Sequence, residues 1–167
     1  MMKNHIDIST RKSSDGRCIF VDRMLIFIEG LIFGGEDLAS LSGLMVGAID
    51  DLISNIERQK NNINFAKNIF DKNLSPVYFF QLLHNACWVE GDWPKCFGDS
   101  AVAPDVYCAL PSGTEIFDAN EAYFVVVSSV EGILFAKNNA DNDFVALRIN
   151  VFDYVRVWEQ ARAKIIL

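Results

Sequence analysis

The chain of 167 residues has only two histidines and four cysteines, residue types from which many catalytic and metal sites are built, and only four prolines. Cys18, Cys87, Cys96 and Cys108 show no Cys-x2-Cys spacing, the spacing that structural zinc sites favour. Four cysteines in a chain of this size are also not typical of a disulfide framework. We therefore expect no bound metal and no cofactor.

Nucleophilic catalysis usually needs a histidine beside the nucleophile, and the sequence offers few such pairs. His5 lies in a polar N-terminal stretch, and His84 precedes Cys87 by three residues on a predicted helix, where such neighbours more often pack than react. The glycines match no phosphate-binding fingerprint. An enzyme is therefore not expected.

Long apolar segments are also missing. The longest clean apolar runs, such as residues 24–28, have the length of a strand and fall far short of a membrane span. Residues 1–16 lack the apolar stretch of a signal peptide. We expect a cytoplasmic protein with reduced cysteines.

Basic residues are scarce in the second half of the chain. The net charge is −7, and residues 76–167 hold six Lys or Arg against twelve Asp or Glu. Such a surface repels nucleic acid and anionic membranes and attracts basic proteins. We therefore expect no nucleic-acid partner and no membrane partner.

The order of elements predicts an α+β fold: an antiparallel β-sheet, made of an N-terminal hairpin and a C-terminal meander, packed with about three helices. Residues 1–16 read as a flexible lead-in, with a short strand at 5–9, and residues 17–167 as one domain. Strands at 18–21 and 24–28 lead through Glu29-Gly30, a two-residue turn, into a strand at 31–33.

Helices are predicted by apolar spacing and by capping residues. Ser42 precedes an apolar stripe, and Ser75-Pro76 is a favourable helix start because proline at the first helical position loses no needed N–H. The stripe of the first helix consists of Met45, Ile49, Leu52 and Ile56.

The C-terminal third organises the fold. Strands are expected at 114–118, 121–128, 133–137 and 143–149, followed by a helix that Asn150 caps. The second of these strands is apolar on both faces, which favours a central position. In the helix, Val151, Val155, Trp158 and Arg162 are expected to share one face, flanked by Tyr154 and Ala161.

The most informative stretch is the irregular tract between the predicted helix that ends near Cys87 and the meander, because long loops in compact domains are usually functional. Between residues 90 and 121 there are seven acidic residues against one base, Lys95. Aromatic anchors surrounded by charge are typical of protein–protein hot spots. The candidate interface residues are Trp88, Glu90, Asp92, Trp93, Asp99, Asp105, Glu115, Asp118 and Glu121.

Four segments resemble the small immunity proteins of bacterial polymorphic toxin and contact-dependent growth inhibition systems. They are MLIFIEGLIF (24–33), LSGLMVGAIDDLISNI (41–56), IFDANEAYFVVVSSVEGILFAKNN (116–139) and FVALRINVFDYVRVWEQA (144–161). The resemblance covers about two thirds of the chain and lies in the order of elements.

The resemblance implies a cytoplasmic antidote that binds the toxic domain of a cognate effector and blocks its active site. The toxins of such systems are frequently nucleases with basic clefts, so the expected partner is a protein toxin domain with a basic surface. The acidic tract agrees with this expectation.

Two alternatives remain open. One is a small carboxylate-dependent hydrolase or nucleotide-modifying enzyme that uses Glu90, Asp92 or Asp99 as general acid and base. The other is a non-catalytic adaptor or chaperone for a basic partner. The oligomeric state stays open.

Overall fold

In the computed structural model, the described residues are 4–36, 39–61, 63, 75–88, 104–117, 120–137 and 143–166, with the backbone alone described at 86–88, 104, 105 and 115. These residues form seven strands and three α-helices, and the expected α+β class with antiparallel sheets is confirmed. The strands are β1 (His5–Lys12), β2 (Ile19–Ile28), β3 (Leu31–Gly35), β4 (Ser40–Leu41), β5 (Ala122–Val126), β6 (Glu131–Lys137) and β7 (Phe144–Asn150). The helices are α1 (Ser42–Lys60), α2 (Pro76–Trp88) and α3 (Val151–Ile166).

The hairpin and the meander belong to separate sheets. The N-terminal sheet has the order β1-β2-β3, with β4 also paired to β2, and the C-terminal sheet has the order β5-β6-β7. The chain divides into two compact units. One unit is Met1–Ile53, Leu110–Glu121 and Phe152–Leu167, and the other is Ser54–Ala109 and Ala122–Val151.

The short strand expected at 5–9 is present as β1 and continues to Lys12, so most of the stretch expected as a flexible lead-in belongs to the N-terminal sheet. The two strands expected at 18–21 and 24–28 are one continuous strand, β2. It turns into β3 through Glu29 and Gly30, whose φ angles of 49° and 91° are those of a tight two-residue hairpin turn. That residues 17–167 form one domain stays a prediction.

The first helix follows the expected apolar stripe. Met45, Ile49, Leu52 and Ile56 are all buried along α1. The start of α2 is also as expected: Ser75 caps it, because its Oγ accepts a hydrogen bond from Tyr78 N at 3.3 Å.

The face of the last helix is partly different from the expected one. Val151, Tyr154, Trp158 and Ala161 are buried along α3, and the stripe continues at Val157 and Ile165. Val155 and Arg162, which were expected on this face, are only half-buried. Arg162 instead donates from Nε to Asp50 Oδ1 at 2.6 Å, because a guanidinium gains more from a carboxylate than from an apolar core.

The expected strand at 114–118 is wrong. Residues Glu115–Phe117 form a 3-10 helix, closed by a hydrogen bond from Phe117 N to Thr114 O at 3.2 Å. A preceding turn at Gly113, with φ of 72°, changes the chain direction, and Thr114 Oγ1 donates to Pro111 O at 3.2 Å. These local hydrogen bonds replace the strand pairing that the residue types of this segment predict.

The expected central position of the strand at 121–128 is wrong, because β5 lies at the edge of the order β5-β6-β7. It is buried nonetheless, since Gln59 bonds to Phe124 O and Val126 N, and Cys108 bridges to Tyr123. All five residues of β5 are buried, and they pair with β6 from Ala122 opposite Ala136 to Val126 opposite Gly132. In β7, Ile149 is buried and Arg148 is exposed, while Val145 and Leu147 are only half-buried. The C-terminal sheet packs against α2 around Phe79, Phe80 and Leu83.

Candidate interaction surface

The structure describes four of the nine predicted interface residues. Trp88 is the last residue of α2, Asp105 lies in a 3-10 helix at Pro104–Tyr107, Glu115 begins the second 3-10 helix, and Glu121 is exposed directly before β5. Trp88 and Asp105 belong to one compact unit, and Glu115 and Glu121 belong to the other. The remaining five lie outside the described residues: Glu90, Asp92, Trp93, Asp99 and Asp118.

The segment that carries Asp105 is anchored by the two residues that follow it. Val106 and Tyr107 are buried, and they belong to the aromatic core around α2 and the C-terminal sheet. Burial raises the pKa of the Tyr107 phenol far above its usual range, because the charged phenolate loses its hydration. Tyr107 is therefore a neutral core residue, and Asp105 has a fixed backbone position beside it.

A buried glutamine of α1 fixes the same segment. Gln59 is 3% exposed, and its Nε2 donates to Val106 O at 2.8 Å and to Phe124 O at 2.9 Å. Its Oε1 accepts a hydrogen bond from Val126 N at 2.9 Å. The amide thus satisfies three backbone groups of two segments in the interior, where each unpaired group would be costly.

The segment around Glu115 is anchored in the same manner. Ile116 and Phe117 are buried, and the Phe117 ring lies edge-to-face with Trp158 of α3 at a centroid distance of 5.8 Å. Edge-to-face aromatic pairs are a favoured packing geometry. Glu115 therefore directly precedes two core residues, as Asp105 does.

A side-chain hydrogen bond fixes the residue before Glu121. Asn120 Oδ1 accepts from Gly34 N at 2.7 Å, across 86 positions of the chain. Asn120 N also donates to Phe117 O at 2.9 Å. The segment before β5 is in this way held at the edge of β3.

Sequence reasoning missed both Gln59 and Asn120. Gln59 continues the α1 stripe, since it follows Ile56 by three residues, and a glutamine at an apolar position is a detectable signal of buried hydrogen bonding. Asn120 offers no comparable signal, because asparagine in a turn before a strand usually bonds locally.

Nucleophilic chemistry has one candidate pair among the described residues. His84 Nδ1 lies 3.2 Å from the Tyr123 hydroxyl, and the His84 ring is parallel to the Phe80 ring. Cys108 is half-buried against the same core, and its backbone bridges to Tyr123. These contacts are those of core packing with a satisfied polar group. The side chain of Cys87, the expected neighbour of His84, lies outside the described part of the chain.

The described residues also bear on metal binding and on membrane crossing. Within the described ranges, no group of three or more His, Cys, Asp or Glu residues is placed to hold a metal ion. Cys96 lies outside those ranges. No helix among the described residues combines the length and the apolarity needed to cross a membrane.

Comparison of the chain with protein-family models, with curated proteins and with solved structures produced no match. The resemblance to immunity proteins therefore stays a prediction.

Proposed function

We propose that this chain is an immunity protein that binds a cognate protein toxin, a nuclease, through acidic residues between positions 88 and 121. Binding covers the basic cleft of the toxin and blocks its active site. The proposal includes no cofactor, no metal and no catalysis by this chain, and it assigns the protein to the cytoplasm, where such a toxin would act.

The observation that carries the proposal is the anchoring of acidic positions by buried neighbours. Asp105 precedes the buried pair Val106 and Tyr107, and Glu115 precedes the buried pair Ile116 and Phe117. Glu121 follows Asn120, whose side chain bonds to Gly34. Acidic residues on a fixed backbone bind with a smaller loss of conformational entropy than acidic residues on a flexible tail.

The charge distribution supports a basic partner. Seven acidic residues and one lysine lie between residues 90 and 121, in a chain of net charge −7. Opposite charges on two surfaces accelerate encounter, to about 10⁸ M⁻¹s⁻¹ or more at low salt. An antidote must reach its toxin before the toxin reaches its substrate, and steering by charge provides that speed.

The test uses the product of the gene directly upstream of the gene for this chain. We expect the two proteins to copurify and the growth defect caused by the upstream product to disappear when this chain is co-expressed. The triple variant Asp105→Lys, Glu115→Lys and Glu121→Lys should lose copurification and rescue, because six units of charge change at the proposed interface.

A matched control carries the same change of charge at exposed acids elsewhere: Glu29→Lys, Asp51→Lys and Glu159→Lys. We expect this control to keep binding to within about tenfold, since distant charges alter steering more than contact. Both triple variants are compared with the wild type by thermal unfolding. Unchanged binding by the Asp105, Glu115 and Glu121 variant would show that the interface lies elsewhere.

A further inference from the structure

The first strand lies at the edge of its sheet. Among the described residues, β1 pairs with β2 along one side only. The hairpin between β2 and β3 fixes which backbone groups face outward, because the pair that closes a two-residue turn, Ile28 and Leu31, is hydrogen-bonded. Alternation along β2 and across to β1 then directs the N–H and C=O groups of Ile6 and Ile8 away from the sheet.

Two observed hydrogen bonds agree with this pattern. Gly34 N, on the far side of the sheet, points outward and donates to Asn120. Ile6 O points outward from β1 and accepts from Lys164 Nζ at 2.9 Å. The register of β1 against β2 shifts between Ser9 and Thr10, where Asp22 of β2 is the extra residue. Because a bulge adds its extra residue to one strand alone, alternation along β1 continues, and the groups of Thr10 also face outward. The side chain of Thr10 is exposed, and that of Ile8 is half-buried.

We propose that β1 pairs in antiparallel orientation with β1 of a second copy of this chain, about a two-fold axis at Ser9. This register sets Ile8 opposite Thr10 of the second copy, so the outward groups of both strands bond to each other. It also sets Asp7 opposite Arg11 twice, on the outer face of the sheet, at the short spacing of a non-hydrogen-bonded pair.

Charge selects this register over its neighbours. An axis at Asp7 would bring two Asp7 carboxylates together, and an axis at Ile8 would leave Asp7 opposite Ser9. Only the axis at Ser9 makes opposite charges face each other directly, which favours pairing, whereas like charges oppose it.

The existing ion pairs leave capacity for these contacts. Arg11 uses Nε for Asp22 at 2.9 Å, and a guanidinium has further N–H donors on its two terminal nitrogens. Asp7 uses Oδ2 for Arg23 at 2.9 Å, and its second oxygen can accept from Arg11 of the other copy. The dimer would therefore extend the present pairs into a network.

Lys164 limits how far the pairing can extend. Its bond to Ile6 O occupies the group that would otherwise accept from Lys12 of the second copy. With Lys164 present, the paired stretch is restricted to the region around Ser9, so the association is weak. This proposal is independent of the toxin-binding proposal, since it concerns another part of the molecule.

The test measures self-association of the full chain by sedimentation velocity over about 10–500 µM, the range expected for a small interface. We expect Asp7→Arg and Arg11→Asp each to weaken dimerisation by about tenfold, because two like-charge pairs form at once. The double variant D7R/R11D should restore it to within about threefold. Lys164→Met should strengthen it.

The controls make the same kind of charge change in the turn after β1: Asp15→Arg, Arg17→Asp and their combination. These variants should leave the dimerisation constant unchanged. Thr10→Pro is a second test that does not depend on charge. It removes an outward N–H without removing a bond between β1 and β2, and it should abolish dimerisation.

Two outcomes would overturn the proposal. One is a wild type and a Lys164→Met variant that both stay monomeric across the whole range. The other is a dimer that the single charge variants and Thr10→Pro do not weaken, or that D7R/R11D does not restore. Circular dichroism identifies any variant that fails to fold. If a charge variant fails to fold, the effect of Thr10→Pro on dimerisation decides whether the proposal holds.

Discussion

The two sheets of this protein differ in whether their main strands are buried on both faces or on one. In the C-terminal sheet, β5 is buried on both faces, and β6 is buried from Gly132 to Ala136. In the N-terminal sheet, β2 buries Val21, Met24, Ile26 and Ile28 on one face and leaves half-buried residues on the other. A strand covered on both faces serves the core, whereas a strand with a solvent face needs polar cover.

That polar cover is visible on the N-terminal sheet. His5 stacks on Phe27 with 3.8 Å between ring centroids, and the Arg11 guanidinium lies 4.7 Å above the Phe20 ring. Arg23 bonds to Asp7 at 2.9 Å and to Glu36 at 3.1 Å. The strands β5 and β6 are therefore stabilised mainly by apolar burial, whereas β2 is stabilised by burial on one face and by stacked rings and paired charges on the other.

Each sheet also has one glycine at which an added Cβ would clash with a neighbouring group. A Cβ on Gly34 would lie 1.9 Å from the backbone oxygen of Met24, and a Cβ on Gly132 would lie 2.3 Å from the Phe124 ring. Backbone cannot yield without loss of the strand, whereas a ring can shift within limits. The N-terminal sheet is therefore expected to be the less tolerant of the two.

The largest effect is expected for Gly34→Ala. The added Cβ meets a fixed backbone oxygen, and the φ of 105° is unfavourable for alanine, so the free energy of unfolding should fall by about 4 kcal/mol. Urea denaturation measures this change. Gly16→Ala is the control, since Gly16 has a positive φ with open space around it and should cost about 1 kcal/mol.

The loss of the buried amide should come next. Gln59→Leu keeps much of the side-chain volume but leaves Val106 O, Phe124 O and Val126 N without their bonds, which should lower the unfolding free energy by about 3 kcal/mol. The control is Gln81→Leu, at an exposed position of α2, with an expected change within about 0.5 kcal/mol. Equal effects of the two substitutions in urea denaturation would show that the Gln59 bonds contribute little.

The smallest of the three effects is expected for Gly132→Ala. The Phe124 ring has to move, which should cost about 2 kcal/mol, less than at Gly34 because a side chain yields more easily than backbone. Gly47→Ala in α1 meets nothing within 4 Å and should be neutral or slightly stabilising. A larger loss at Gly132 than at Gly34 would reverse the proposed order of tolerance.

Much of the fold was predictable from local patterns. The apolar stripe of α1, the hairpin turn at Glu29-Gly30, the start of α2 after Ser75 and the buried strand β5 all follow from spacing and turn chemistry within a few residues. The face of α3 was predicted only in part, because Val155 and Arg162 fit the helical period as well as Tyr154 does. The preference of Arg162 for Asp50 decided between them.

The acidic composition of the candidate interface was predictable from the sequence, but the buried neighbours that anchor its residues were not. The acidic residues are visible in the sequence, whereas the anchoring of Asp105, Glu115 and Glu121 depends on which neighbours are buried. The 3-10 helix at Glu115–Phe117 replaces an expected strand because Thr114 and Gly113 form a local turn.

The sequence by itself determined the α+β class, the helix starts, the hairpin and the excess of acid, since each of these depends on residues close together in the chain. Only the tertiary structure decided that the strands form two sheets, that Gln59 bonds to β5 and that Asn120 covers Gly34. Those bonds join residues 65 to 86 positions apart. No local period encodes such a partner, because its identity depends on where the rest of the chain packs.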